Sequence, residues 1–242
     1  MWKGATLMDL RGSIPTFVLL TSGKVNDAKV MDKIPVERGS FYLMDNGYVA
    51  FEKLHKYFHQ KGAFFVTRAK DNMVYDVIES MPVDKNSGVL YDETIRLIGY
   101  YSIKKYPDTL RLVVYEDFDA GNVYHFLTNN FSIEDPLAIA ELYHERWQIE
   151  LFFKWIKQHL HIKTFYGTSQ NAGFTQIWIA VCDYLLLIIA KKRYGLVPSI
   201  HSISNSIGQV LFRRADIREL YNQPTLPVNV PEAEAVEQLT LW

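Results

Sequence analysis

The chain has 242 residues, of which 48% are apolar, 14% aromatic and 22% charged, so we expect a globular protein and exclude fibrous, collagen-like and low-complexity classes. The single cysteine, Cys182, excludes an internal disulfide and a cysteine-based zinc site, and no leader-like segment is recognisable, which predicts a cytoplasmic protein. The 26 basic and 27 acidic side chains leave a formal charge of −1, which offers no overall basic field to a nucleic acid.

The first 70 residues alternate between predicted strands and helices. The patterns predict, in order, strands at 3–10 and 16–22, a short helix capped by Asn26, a strand at 40–44, a helix at 49–60 and a strand at 63–69. Gly12 and Pro15 supply turn chemistry between the first two strands, so these strands should form a hairpin. The strand at 40–44 delivers the carboxylate of Asp45 at its C-terminal end.

The segment 71–130 has a β-type pattern, and helices are predicted after it. Its clearest unit is a hairpin that turns at 119–122. A helix capped by Ser132 or Asp135 is predicted to run through Leu160. Further helices should begin at Asn171, with a very apolar part at 177–190, and at Ser199, and the Pro- and Glu-rich tail from residue 223 should be disordered. Because the run at 177–190 is short for a bilayer core of about 30 Å, we expect a buried helix and no membrane span.

One helical stretch carries the residues with the clearest chemistry. It reads AELYHERWQIELFFKWIKQHL, and its offsets place Tyr143, Arg146, Glu150 and Lys157 on one stripe, with Lys154 beside Glu150. A carboxylate flanked by cations and a phenol suits a metal-held phosphodiester, in which the acid binds a divalent cation and the bases contact phosphate oxygens. The alternative is an ordinary solvated helix face with ion pairs between residues four apart.

The spacing Tyr143-x2-Arg146-x3-Glu150-x6-Lys157 resembles the Y-R-E-K signature of insertion-sequence DDE transposases, in the group called insertion sequence family four. Other segments also look like bacterial transposases of this group, and together they cover roughly residues 1 to 215: MDLRGSIPTF, FYLMDNGY, FLTNNF, ERWQIELFFKWIKQHL and KTFYGTSQNAGFTQIWIA. The resemblance implies an α/β fold with a ribonuclease H-like core, a mixed β-sheet flanked by helices. It divides the chain into a first core part at 1–70, a β-rich insertion at 71–131, a helical core part at 132–222 and the tail at 223–242.

The resemblance also implies roles for individual residues. In the family, two aspartates and a glutamate hold two divalent ions, Mg²⁺ or Mn²⁺, and here the second aspartate falls on Asp45 and the glutamate on Glu150. The family commonly has Arg where this chain has Asn46, which removes one cationic contact. Tyr143, Arg146, Lys154 and Lys157 would hold DNA phosphates, and Trp147 would stack on a flipped base or pack in the core. Taken alone, Asp-Asn-Gly at 45–47 is also an ordinary turn, and Trp155 is expected in the core.

The first aspartate of the triad has no counterpart at the expected place. The opening WKGATLMDLRG looks like the second core strand, so the missing ligand would lie upstream of Met1, and Asp9 is the only local substitute. We therefore expect an N-terminally truncated transposase that acts on transposon ends and target DNA, with a possible homodimeric synaptic complex, near the bacterial nucleoid. The alternatives are a catalytically dead remnant that only binds DNA or oligomerises, and an unrelated α/β scaffold.

Overall fold

The computed structural model describes residues 2–22, 27–159, 169–210 and 220–221. The chain divides into two compact units, residues 1–181 and residues 182–242. All strands formed by the described residues belong to the first unit. The predicted cap Asn26, residues 160–168 and the whole predicted tail at 223–242 lie outside the described residues.

The strands are β1 (Trp2–Asp9), β2 (Ile14–Ser22), β3 (Phe41–Met44), β4 (Phe64–Arg68), β5 (Tyr75–Met81), β6 (Val89–Leu97), β7 (Leu110–Asp117) and β8 (Asn122–Thr128). The helices are α1 (Asp27–Val30), α2 (Phe51–Lys53), α3 (Tyr100–Lys105), α4 (Pro136–His144), α5 (Trp147–His159), α6 (Gln170–Tyr194) and α7 (Ile200–Val210). These bounds confirm both predicted hairpins. The predicted helix at 49–60 is formed by α2 and a π-helical turn, Leu54–His59.

The strands form two sheets. The hairpin of β1 and β2 is a separate antiparallel sheet, while the other six strands form a mixed sheet in the order β3-β4-β8-β7-β6-β5. Only β3 and β4 pair in parallel, and the remaining neighbours are antiparallel. The four strands β5 to β8, from the β-type segment, thus continue the same sheet as β3 and β4.

Neighbouring residues of a strand point to opposite sides of a sheet, and both faces of the six-stranded sheet carry buried apolar clusters, although the edge strand β5 is mostly exposed. On one face Phe65, Leu112 and Leu127 pack with Leu54 and Phe58 from the helical segment after β3. The other face packs against α4, through a cluster formed by Val66, Val89, Val113, Phe126, Ile139, Ala140 and Tyr143. The result is a mixed α/β architecture in which helices flank the sheet, and it brings the carboxyl ends of β3 and β4 to one edge.

Two buried polar groups fix this sheet. Arg111 on β7 makes a two-pronged ion pair with Asp92 on β6, with its Nε and Nη2 donating over 2.7 and 2.8 Å. Directly after β8, the side-chain amide of Asn129 accepts from the backbone N–H of Phe65 and donates to the carbonyl of Ala63, each at 2.9 Å. Since a buried polar group is costly without a partner, these contacts favour one strand register.

The prediction of a continuous helix through Leu160 is wrong. The helix ends at His144 and a new one begins at Trp147, and the backbone bonds around the break span three residues: Arg146 N–H to Tyr143 and Ile149 N–H to Arg146. Bonds of this 3₁₀ type tighten the turn and end the α-helical periodicity. The predicted stripe is therefore not carried by one continuous helix, although Tyr143, Arg146 and Glu150 remain neighbours across the break.

Helix α6 also differs from expectation. The span Asn171–Tyr194 has a mean hydropathy of 1.8 in its most apolar part, so by length and composition alone it could cross a membrane. One third of this apolar part is buried inside the protein. The estimate of a run too short for a bilayer was wrong because the helix extends beyond residues 177–190 on both sides. A helix of a soluble core passes the same length and composition test.

Candidate active site

A cavity of about 340 Å³ lies within the first unit, between strands β1 and β3. Residues 5–7 of β1 and 42–44 of β3 line it, together with apolar side chains such as Ile149 and Phe153 of α5. In the part of the chain that the structure describes, β1 pairs only with β2 and β3 pairs only with β4, so each strand has one edge without a strand partner. Among the described residues, three charged side chains line this cavity: Asp45, Arg146 and Glu150.

Asp45 is held at the end of β3 by the turn that follows the strand. Its carboxylate oxygen Oδ1 accepts the backbone N–H of Asn46 at 2.7 Å, and its carbonyl accepts the N–H of Tyr48 at 3.0 Å. Asp45 thereby caps the 3₁₀ turn Asn46–Tyr48 while its side chain remains exposed. The turn predicted from the sequence at 45–47 and the carboxylate at the cavity are therefore features of the same residue.

Glu150 lies in the first turns of α5 and is paired with the cation four residues before it. Arg146 Nη2 donates to Glu150 Oε1 at 2.6 Å, and both side chains are partly exposed. The Nε of Arg146 is buried and has no acceptor among the described residues. The pair balances the charge of Glu150 within the protein, and the side chain of Arg146 remains 21% exposed, so part of the guanidinium is accessible to an external anion.

Tyr143 and Arg146 shift each other's ionisation. Burial raises the pKa of Tyr143 above its ordinary value, opposed by the charge of Arg146 and reinforced by Asp45. Burial lowers the pKa of Arg146, but Tyr143, Glu150 and Asp45 outweigh this, so its pKa lies above the ordinary value. The site therefore combines a neutral phenol with a permanently charged guanidinium.

The other residues predicted to bind DNA lie outside the cavity lining. Tyr143 is buried, with its ring 4.8 Å from that of Phe126. Trp147 is 54% exposed, so it is not a core residue, while Lys154 and Lys157 are exposed on α5. Trp155 is buried, which confirms the prediction that it belongs to the core.

Asp9 does not line the cavity. It is exposed at the end of β1, and its carboxylate accepts the backbone N–H of Arg11 at 3.0 Å. The residue of β1 that does line the cavity with a polar group is Thr6, whose buried hydroxyl has no hydrogen-bond partner among the described residues. The substitute ligand considered from the sequence is thus absent from this wall of the cavity.

Arg68 is a neighbour of the site that the sequence reasoning missed. Its guanidinium lies 4.6 Å from the ring of Tyr124 and 5.7 Å from the ring of Tyr143. The signal available in the sequence was its position at the end of β4, since the carboxyl ends of parallel neighbouring strands meet at one sheet edge. Arg68 is the last residue of β4, and Asp45 directly follows the neighbouring parallel strand β3.

These carboxylates, cations and edge strands fall within a region that matches a known family. Residues 2–186 match the family described as the transposase DDE domain. The chain belongs to this family. It is 36% identical over 231 residues to the "Putative transposase y4zB" of Sinorhizobium fredii. The aligned residues cover 94% of this chain and 63% of that protein.

Two further relatives of the transposase DDE family are more distant. The "Probable transposase for insertion sequence element IS5377" of Geobacillus stearothermophilus is 30% identical over 72% of this chain and 45% of its own length. The "Putative transposase for insertion sequence element IS4SA" of Synechocystis is 25% identical over 76% of this chain and 53% of its own length. The chain thus spans about half to two thirds of these relatives, and no solved structure matches it.

Membership of the transposase DDE family supports an insertion-sequence transposase of the DDE type. The mixed sheet flanked by helices is compatible with such a fold. Asp45 and Glu150, the two residues selected by the resemblance, line the same cavity although they are far apart in the sequence.

Proposed function

We propose that this chain is the catalytic part of a Y-R-E-K group transposase, which cleaves DNA at the ends of its insertion sequence and transfers the strands to target DNA. The observation that carries the proposal is that Asp45 and Glu150 line one cavity together with Arg146. A ribonuclease H-like core, a synaptic homodimer and action near the bacterial nucleoid belong to the same proposal. Family membership and the names of the relatives support it.

The donor set at the cavity fits divalent metal ions. Carboxylate oxygens are the ligands that Mg²⁺ and Mn²⁺ prefer, and Asp45 and Glu150 would hold the ions from the end of β3 and from α5. When bound, two such ions supply Lewis-acid activation of water and of the freed 3'-hydroxyl for in-line attack on a phosphodiester. Arg146 donates to one oxygen of Glu150, Oε1, so Glu150 could hold an ion through Oε2, and any weakening of this hydrogen bond would make the guanidinium available to a phosphate oxygen.

The DNA contact in this proposal surrounds the cavity. Arg146 has a partly exposed guanidinium, Lys154 and Lys157 are exposed on α5, and the exposed Trp147 is available to stack on an unpaired base. Tyr143 lies behind them and positions Arg146, whose guanidinium is 5.4 Å from its ring. Because these contacts are charged, DNA affinity should fall steeply with salt.

We further propose that this metal site is incomplete without one more strand. Among the described residues no third carboxylate lines the cavity, while β1 and β3 each have an unpaired edge there. A strand inserted between them would join the two sheets, pair with both edges and carry an acid next to Asp45. The catalytically dead remnant is the outcome in which no such strand is available.

The test uses the ends of the element that encodes the chain. We expect the purified 242-residue chain to show no Mg²⁺- or Mn²⁺-dependent cleavage of these ends. A chain lengthened by the in-frame codons upstream of Met1 should cleave them, provided that those codons encode a strand with an aspartate. Cleavage by the 242-residue chain that Glu150→Gln abolishes would contradict the incomplete site, and an inactive lengthened chain would contradict the transposase proposal.

A further inference from the structure

A second group of metal-binding side chains lies on the π-helical turn, away from the residues of the cavity. His55 and His59 are four residues apart on this turn, and Asp108 follows α3 in the loop before β7. One ligand atom from each of the three lies within 4.8 Å of the others. None of the three lines the cavity of Asp45 and Glu150.

The distances between these atoms are close to those of a coordinated metal. The Nε2–H of His55 donates to Asp108 Oδ2 at 2.8 Å, and Nε2 of His59 lies 3.5 Å from the same oxygen. Two ligand atoms at about 2.1 Å from a tetrahedral zinc ion lie about 3.4 Å apart. Adjustments well under 1 Å at these two contacts would therefore admit an ion in place of the shared proton.

Neighbouring groups already orient both imidazoles. The rings of His55 and His59 stack at 5.4 Å, and the buried ring of Tyr106 packs edge-on against them at 5.2 and 5.6 Å. The hydroxyl of Tyr106 lies 3.0 Å from His59 Nδ1 and can accept its proton, whereas the amide N–H of Gln60 donates to His55 Nδ1 at 3.4 Å. Nε2 of His59 is thereby left free for a metal, while an ion at Nε2 of His55 would displace the proton that this nitrogen shares with Asp108.

The donor types decide which ion fits. Two imidazole nitrogens and one carboxylate suit Zn²⁺ and neighbouring transition metals, whereas Mg²⁺ prefers oxygen ligands. The side chains of His55, His59 and Asp108 are 17%, 35% and 48% exposed, so an ion can enter from solvent and keep a water as a further ligand.

We propose that His55, His59 and Asp108 form a zinc-type site that fastens the loop before β7 to the helical turn after α2. This site is separate from the catalytic carboxylates and does not rest on the proposed transposase activity. Tyr106 is a positioning residue, because it touches the imidazoles and offers an acceptor to His59 Nδ1.

Zinc titration of the untagged, metal-stripped chain tests this proposal, with calorimetry for stoichiometry and Co²⁺ absorption for coordination geometry. We expect one ion per chain with micromolar affinity, visible bands of four-coordinate Co²⁺, and a melting temperature raised by about 5–10 °C at a hundredfold excess over Kd. Asp108→Asn and His55→Gln should each weaken binding at least tenfold, and Tyr106→Phe by about tenfold.

His125→Gln is the matched control, because His125 is exposed on β8 and outside the group. Neither this variant nor Glu150→Gln should change zinc affinity or the Co²⁺ spectrum. If His55→Gln fails to fold by circular dichroism, His59→Gln and Asp108→Asn make the same test at more exposed positions. Two results would overturn the proposal. One is zinc binding by Asp108→Asn that is as tight as in the native chain. The other is no binding by the native chain at about 100 μM zinc, which is 100 times the expected Kd.

Discussion

The six-stranded sheet and the cavity beside it differ in how completely their groups are paired. In the sheet, Asp92 and Arg111 are buried and bound to each other, and apolar side chains cover both faces. Among the described residues at the cavity, two strand edges have no strand partner, the buried hydroxyl of Thr6 has no hydrogen-bond partner, and the side chain of Glu150 is 40% exposed despite its pairing with Arg146. Stability therefore resides in the sheet, whereas the cavity retains the unsatisfied groups that a ligand or a further strand can use.

We expect the largest difference in stability between two alanine variants, one of a phenylalanine in the sheet and one of a phenylalanine at the cavity. Phe65→Ala empties a fully buried position in β4 and should lower the free energy of unfolding by about 3–5 kcal/mol. Phe153→Ala removes a half-buried ring from the cavity wall and should cost about half as much, since part of that ring already faces open space. Urea denaturation of both variants measures the contrast, and equal losses would contradict it.

Breaking the ion pair of the sheet should also lower the stability more than breaking the ion pair of the cavity. Asp92→Asn leaves Arg111 buried without its anion, so we expect a loss of about 3–5 kcal/mol in the free energy of unfolding. Glu150→Gln disrupts a partly exposed pair four residues apart and should change stability by less than about 1 kcal/mol. Thermal and urea unfolding check this, and a strongly destabilised Glu150→Gln would show that the second pair is structural.

Replacing two threonines should change the stability by smaller amounts and in opposite directions. The hydroxyl of Thr128 accepts the backbone N–H of Asn130 at 3.1 Å, so Thr128→Val should destabilise the protein by about 1–2 kcal/mol. Thr6→Val removes an unpaired buried hydroxyl and should stabilise by up to about 1 kcal/mol. A loss of stability in Thr6→Val would indicate that this hydroxyl has a bound partner in solution.

Alkaline pH should weaken the protein through its buried phenols. Burial, with Asp108 adding to it, raises the pKa of Tyr106 above the ordinary value of 10. The neutral phenol is therefore favoured in the folded state, and its contribution is complete below pH 10 and lost as the pH rises through the folded-state pKa. Stability measured by urea should fall above about pH 10, and Tyr106→Phe should make that fall shallower. An unchanged slope in Tyr106→Phe would assign the alkaline loss to other groups.

Local signals predicted the parts of the fold that depend on neighbouring residues. The hairpin of β1 and β2 and the turn at 119–122 follow from turn residues between β-type runs. The break at residues 145 and 146 could not be predicted, because the helical periodicity runs through it and the burial of Tyr143 against Phe126 is a tertiary contact. Asp108 likewise approaches His55 only in the folded chain.

In the candidate site, too, the sequence predicted some residues and missed those whose position depends on the tertiary fold. Asp45 and Glu150 were selected by resemblance to a family, and their common cavity supports that selection. Helical offsets placed Lys154 and Lys157 beside Glu150, but both are exposed outside the cavity lining. Thr6 and Arg68 were missed, since their position depends on which strands become neighbours and not on any local motif.

Cleavage of the element's own ends most directly tests the claim that Asp45 and Glu150 are metal ligands. In a chain lengthened at its N-terminus by a strand that carries an aspartate, we predict Mn²⁺-dependent nicking that Asp45→Asn and Glu150→Gln each reduce by at least about 100-fold, with circular dichroism unchanged. Lys157→Gln should instead weaken DNA binding and its salt dependence while leaving cleavage at saturating DNA within about tenfold. Nicking at the native rate in Glu150→Gln would contradict the account.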